Sequence, residues 1–278
     1  MSPTIHSVAL STGLTVPYVE QGNPTGVPVI LLHGYSDSHH SYDLLLAQLP
    51  PAVHAYAVTQ RGHGDADRPT SGYRPADYAA DVAAFMDAVG LEAAVIVGHS
   101  GGSYAAQQFA LDHPERALGI VLIGAFRSFH DNSGVLDLAQ AVREFTDPVD
   151  PDFVRAFQES CVAQPVPDGY IDSIVAESLK LPARVWKAYL QAYLENPVPT
   201  ESGTITTPTL ILWGDQDAFS PRSDQDALVA AIPRARLSVY KGTGHCPHWE
   251  QPQRAAAEIG ALAQHVEPTA HATIAPDA

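Results

Sequence analysis

The sequence predicts an α/β protein: a mainly parallel sheet of about eight strands, helices on both faces, and an all-helical segment inserted late in the chain. Three observations predict it. Six continuous apolar runs of strand length are separated by helix-length segments, a pair of shorter runs precedes them, and the stretch 127–203 has no strand-like run at all. An apolar run without alternation marks a strand buried on both faces, as in parallel sheets covered by crossover helices.

The chain starts with a hairpin pattern, HSVALSTGLTVPYVEQG, two apolar runs broken at Ser-Thr-Gly. The six strand-like runs are PVILLHG (28–34), VHAYAV (53–58), AAVIVG (93–98), LGIVLIG (118–124), TPTLILWG (207–214) and ARLSVYKG (235–242). Between them, PADYAADVAAFMDAVG places Tyr78, Val82, Phe85, Met86 and Val89 on one helical stripe, with Pro75 at its start and Gly90 past its end. Helices are also read over 103–115 and 251–266. The inserted stretch carries four helical patterns: SGVLDLAQAVREF, DPDFVRAFQESCV, DGYIDSIVAESL and ARVWKAYLQAYLE. The domain reading is a core of 1–126 and 204–266, a helical cap of 127–203 placed to cover one edge of the sheet, and a disordered tail, 267–278, because that tail is small, polar and Pro-bearing.

Composition excludes several functions. Fifteen Lys and Arg against 31 Asp and Glu leave a formal charge of −16, which disfavours nucleic acid and anionic membrane surfaces. Cys161 and Cys246 form no metal-binding pair, and two free thiols in a reducing compartment are expected. The N-terminus lacks the basic and apolar regions of a signal peptide, and no apolar run approaches membrane-spanning length, so a cytoplasmic protein is expected.

The chemistry concentrates in VGHSGG, 97–102. A buried strand ends at Gly98 and a helix begins a few residues later, with Ser100 at the turn between them. A serine on a sharp strand-to-helix turn takes strained backbone angles, and its neighbours two residues away need almost no side chain for the backbones to pass. The helix N-terminus then offers N–H groups to a developing oxyanion. A serine hydroxyl needs a base to take its proton. Among 13 histidines, His245 stands in a Gly-rich loop after the last strand, in KGTGHCPHWEQP, and His248 is its competitor. A carboxylate must orient that imidazole. LGIVLIG ends in Ala-Phe-Arg and supplies none, whereas TPTLILWG ends at Asp215 and Asp217.

The order Ser, Asp, His around a GxSxG elbow resembles the α/β-hydrolase superfamily, from about Leu14 to Val266. The resemblance extends to His33-Gly34 after an early strand, to Arg61-Gly62-His63-Gly64, to a GxxD acid at Gly214–Asp217, and to Gly244-His245 followed by Glu250-Gln251-Pro252. It implies the α/β-hydrolase fold with the helical insertion as a lid. It implies Ser100 as nucleophile, His245 as base and Asp217 as the acid, leaving Asp215 as a loop residue. The oxyanion hole would be the N–H groups of Gly101 and Tyr35, and His33 would brace its loop by hydrogen bonds. Asp37, His39, His40 and Asp43 are pocket or surface residues. Gly101 stands where relatives often carry methionine, so extra room beside the attacked carbonyl is expected. Candidate pocket residues are Gly34, His99, Phe126, Phe129, Trp186, Tyr189 and His248; of the aromatics Phe126, Phe129, Phe145, Phe153, Phe157, Trp186, Tyr189 and Tyr193, most are expected to be lid core.

These features imply a serine esterase or lactonase acting on a small to medium apolar ester through an acyl-enzyme, with no cofactor and no metal, as a monomer or homodimer. Alternatives are thioester or carbon–carbon hydrolysis, perhydrolysis, and a slow-turnover ligand receptor on the same scaffold.

Overall fold

A computed structural model describes residues 4–266; the expected disordered tail lies outside the described residues. The predicted strands form one eight-stranded sheet in the order β1-β2-β4-β3-β5-β6-β7-β8. The hairpin is β1 (Ile5–Ala9) and β2 (Thr15–Gly22), antiparallel to each other, and β2 runs antiparallel to β4 (Val53–Val58). From there β3 (Val27–Leu32), β5 (Ala94–His99), β6 (Ala117–Ile123), β7 (Thr209–Gly214) and β8 (Ala235–Tyr240) are parallel to their neighbours.

The apolar runs are continuous because both faces of the central strands are covered. Ile30, Leu32, Ile96, Ile120 and Leu122 face Tyr78, Phe85, Tyr104 and Phe109 of α2 (Pro75–Val89) and α3 (Gly101–Asp112). The alternate residues Val29, Leu31, Val95, Val97 and Val121 face α1 (Asp43–Leu46) and the last helix. Side chains of period two thus feed two separate cores from one run.

The predicted helix 103–115 is displaced toward the N-terminus. It starts at Gly101, directly after Ser100, and stops at Asp112, because Pro114 disfavours helical backbone at the residue before it; His113 sits at φ −136, ψ 56.

Between β6 and β7 lie α4 (Ser133–Arg143), α5 (Pro151–Glu159), α6 (Tyr170–Ser178), α7 (Ala183–Glu195) and the short α8 (Pro199–Ser202). The sequence reading placed this insertion over one edge of the sheet; the structure places it elsewhere. It lies over the carboxyl ends of the central strands, where its residues Val135, Leu138, Phe157 and Tyr189 share a cavity with Ser100 and His245. Helix α9 (Arg222–Ala231) follows β7, and α10 (Pro247–Glu250) and α11 (Pro252–His265) close the fold. No described helix is long and apolar enough to cross a membrane.

The chain reaches β4 from β3, then crosses to the opposite side of β3 to form β5. That reversal separates the loops after β3 and β5 and opens a crevice at the strand ends, the usual ligand site of open α/β sheets.

Candidate active site

Ser100 occupies that crevice. It links β5 to α3 with φ 51 and ψ −122, one of two non-glycine residues with positive φ among those described. Its N–H donates to the Ile123 carbonyl at 2.8 Å, which anchors the turn to β6. The flanking glycines are steric necessities. A Cβ on Gly98 would lie 2.2 Å from the Gly102 carbonyl oxygen, and one on Gly102 would lie 2.5 Å from the Leu32 carbonyl oxygen. The elbow therefore closes only if both positions lack side chains.

Asp217 and His245 come together at the ends of β7 and β8. His245 Nδ1 is 2.8 Å from Asp217 Oδ2, with both side chains almost wholly buried. Asp217 Oδ1 also accepts from the N–H groups of Phe219 and Ser220, and Oδ2 accepts from the Ser220 hydroxyl. Burial alone would push this carboxyl up, but the His245 imidazole and the Ser220 donors hold it below the ordinary carboxylate value. A charged Asp217 selects the His245 tautomer with the proton on Nδ1, leaving Nε2 free to accept one. Asp215 is exposed and caps the neighbouring turn, accepting from Gly242 N–H at 2.7 Å. The geometry thus divides the pair: Asp217 meets His245, and Asp215 does not.

Three further glycines and one glutamate make room for this arrangement. A Cβ on Gly214 would sit 2.1 Å from the Gly244 carbonyl oxygen, so the His245 loop passes directly over the end of β7. Glu250 gathers the N–H groups of Gly244, Ala163 and Gln164, tying that loop to the inserted helices. Gly124, at φ +52, leaves the space that the His245 ring fills. The role of Gly124 was missed in the sequence; its place at the end of β6 was the available signal. Gly34 does not line the cavity. A Cβ there would lie 2.8 Å from His99 Nδ1 and 3.1 Å from the Ser100 Cβ, so this glycine brings the loop after β3 close to the elbow.

That loop is braced as expected. His33 Nδ1 donates to the Gly34 carbonyl, and its Nε2 accepts the Gln60 N–H at 3.0 Å. Burial and the neighbouring His63 keep this imidazole neutral by lowering its pKa. Among the described residues neither the Tyr35 nor the Gly101 N–H donates to another backbone group outside the regular elements.

A cavity lies beside Ser100. Of the residues named from sequence, Tyr35, Gly101, His99, Phe126, Phe129 and Tyr189 line it. Trp186 and His248 do not. Trp186 is fully buried behind Tyr35, whose hydroxyl donates to its carbonyl at 2.7 Å. His248 lies against the ring of His99 at 4.5 Å, and burial with the nearby His245 drives its pKa down to about 3. Among the lid aromatics, Phe157 joins the wall, Phe145 and Phe153 pack within the insertion, and Tyr193 packs against Tyr78 and Tyr104 of the core helices. Asp37, read from sequence as a pocket or surface residue, also lines it, whereas Gln158, Cys161, Phe219 and Trp249 were missed as lining residues; which side chains of an inserted helix or a distant loop meet the strand ends is not written in their local sequence. His40 pairs with Asp43 at the half-exposed surface, and His39 is buried against Thr59.

The expected extra room beside the attacked carbonyl does not exist. The phenol oxygen of Tyr189 stands where a Cβ of residue 101 would be, 1.8 Å from that position. Cys161 and Cys246 are both free and buried, and Cys246 Sγ lies 3.4 Å from His99 Nε2. Among the described residues no group of three or more His, Cys, Asp or Glu is placed to hold a metal ion.

A mainly parallel α/β sheet with a strained serine elbow, a buried His–Asp pair after its last two strands and a helical insertion above them defines a hydrolase-type scaffold. The chain belongs to the alpha/beta hydrolase family, whose model matches residues 29–258, and the coarse activity this supports is hydrolysis. It is 29% identical over 256 residues to 2-heptyl-3-hydroxy-4-quinolone dioxygenase AqdC1 of Rhodococcus erythropolis, covering 85% of this chain and 86% of that one. It is 28% identical to a non-heme chloroperoxidase of Streptomyces lividans, covering 86% and 92%. Among solved structures, esterase RhEst1 from Rhodococcus sp. ECU1013 superposes with a TM-score of 0.83 at 27% identity, over 94% of this chain and 99% of that one.

Proposed function

We propose that the protein is a serine carboxylic-ester hydrolase, an esterase or lactonase for a small to medium apolar substrate. The observation that carries this reading is the buried Asp217–His245 pair, which leaves Nε2 of His245 free in the same cavity as the strained Ser100. In the proposed reaction His245 Nε2 takes the Ser100 proton as Oγ bonds to the acyl carbon. The oxyanion is held by the N–H groups of Tyr35 and Gly101. The tetrahedral adduct collapses as His245 returns the proton to the leaving alkoxide, and water, deprotonated by His245, then releases the acid and restores Ser100. Phe126, Phe129, Leu138, Phe157 and Phe219 favour an apolar acyl or alcohol group, and the helical insertion is read as the lid that shapes this pocket.

The test is Ser100→Ala with p-nitrophenyl acetate: turnover should vanish, and undiminished turnover would refute the reading. A panel of chromogenic esters of rising acyl length then reads out the substrate size. The likeness to a non-heme chloroperoxidase favours a second reading, in which hydrogen peroxide replaces water as the acyl acceptor and a peracid leaves. Peroxide-dependent halide oxidation that is lost in Ser100→Ala would identify it.

A further inference from the structure

This inference rests on the acyl-transfer reading and adds one group to it. Tyr189 sits on α7, in the insertion, yet its hydroxyl reaches the first residue of α3. A Cβ on Gly101 would lie 1.8 Å from Tyr189 Oη and 2.9 Å from its Cζ. With a carbon–carbon bond of about 1.5 Å, the phenol oxygen is within about 3.5 Å of the Gly101 Cα. Gly101 is the residue whose N–H the proposed reaction assigns to the oxyanion. The ring of Tyr189 also stacks on Tyr35, the other residue proposed to supply a donor, with centroids 4.9 Å apart and planes at 27°. One side chain therefore packs on both halves of the proposed oxyanion hole.

Its position is tightly held. The ring stacks on Tyr193 at 4.2 Å and meets His63 and Tyr78 edge-on at 5.5 and 5.6 Å. Tyr35 itself is tied to the same helix through its bond to the Trp186 carbonyl. The residue is 3% exposed, and it lines the cavity that contains Ser100. The hydroxyl neighbour of this phenol is that of Tyr193, one turn along α7. Burial raises the Tyr189 phenol well above its ordinary value, so it remains a protonated donor at every pH at which an esterase is assayed.

We propose that the Tyr189 hydroxyl is a third hydrogen-bond donor to the acyl oxygen during attack by Ser100, and that residue 101 is glycine because this oxygen takes the place of its side chain. The two backbone N–H groups are common to such elbows; a phenol supplied from the insertion couples the reaction to the placement of α7. A substrate carbonyl held by three donors in a water-poor site is stabilised most as it becomes an oxyanion, which is where preorganised donors act.

The experiment compares Ser100→Ala, Tyr189→Phe, Gly101→Ala and the double variant Gly101→Ala/Tyr189→Phe on p-nitrophenyl acetate. Tyr189→Phe keeps the stacked ring and removes only the oxygen. It should lower kcat by about 100-fold with KM and Tm nearly unchanged, and should weaken inhibition by an aryl trifluoromethyl ketone, whose serine adduct carries the oxyanion, by a similar factor. Gly101→Ala should cost about as much, because its methyl displaces the phenol, and the double variant should be no worse than Gly101→Ala. A Tyr189→Phe enzyme within twofold of the parent, or one slowed with unaltered ketone affinity, overturns the proposal and assigns Tyr189 to packing. So do losses that simply multiply in the double variant. If Ser100→Ala retains full activity, the acyl-transfer reading itself has failed; if Ser100→Ala is inactive and Tyr189→Phe is not impaired, only the third donor has.

Discussion

Gly124 and His245 share one small volume at the strand ends. A Cβ on Gly124 would lie 2.6 Å from the His245 carbonyl oxygen and 2.9 Å from its Nδ1. The imidazole that pairs with Asp217 is thus seated against the end of β6, on a residue whose positive φ already disfavours any side chain. The absence of a carboxylate at this strand end has a counterpart in what it must leave out.

Gly124→Ala should therefore impair both stability and activity. Left-handed backbone costs a non-glycine residue about 1–2 kcal/mol, and the added methyl has to push the His245 ring off the Asp217 carboxylate. Thermal melts and kcat should both fall. A variant with parental kcat would mean that the ring tolerates the displacement.

Asp217→Asn should reduce kcat by about 10³- to 10⁴-fold, because an amide no longer selects the Nδ1–H tautomer or offsets the imidazolium charge. Asp215→Asn should leave kcat within about twofold, since Asp215 is exposed, does not bond to His245 and accepts only from Gly242 N–H and Gln216. Steady-state kinetics on the two variants side by side decide between them; the reverse ranking would exchange their roles.

Glu250→Ala should destabilise the protein by about 1–3 kcal/mol, because three N–H groups on two segments lose their shared acceptor. The loop bearing His245 should loosen with it, so kcat should fall more than KM rises. Denaturant unfolding combined with kinetics checks both effects, and an unchanged unfolding midpoint would contradict the stapling role.

Asp37 and Asp217 should affect stability with opposite signs. Asp37 is buried, 3.9 Å from His99 Nδ1, and accepts from Gln158 Nε2 and the Ser41 hydroxyl. Burial, opposed by those two donors and by His245, pushes its carboxyl up to about 7. Above about pH 4 the unfolded chain releases this proton and the folded chain does not, so stability should fall by roughly 1 kcal/mol per pH unit up to about pH 7 and then level. Asp37→Asn should remove that slope; melts from pH 5 to 8 that stay parallel to the parent would refute it. Asp217 is held low, so its contribution is complete above the unfolded carboxylate value and is lost only as pH falls through its folded one.

The strands and the elbow were legible because their causes are local. Continuous apolar runs such as Val29–Leu32 and Val95–Val97 encode two-sided burial in consecutive residues, and the Gly98–Ser100–Gly102 spacing encodes a turn that backbone sterics permit only with glycines. That a carboxylate after TPTLILWG would serve His245 was legible from their places after strands; the choice of Asp217 over Asp215 rested on the family resemblance. The pocket wall was not. Trp186 and Tyr189 stood alike among the candidate pocket aromatics of one helical pattern, yet one is sealed behind Tyr35 and the other reaches the elbow.

Residue 101 marks the boundary between the two kinds of information. That a glycine stands directly after the nucleophile is a property of the chain, as are the order of Ser100, Asp217 and His245 and the apolar runs that bring their strands together. Whether the space beside that glycine is open or filled depends on how α7 docks across the sheet. Side-chain period tells a helix which face to bury; the packing of the whole insertion determines what that face touches, and here it sets the Tyr189 oxygen in the gap.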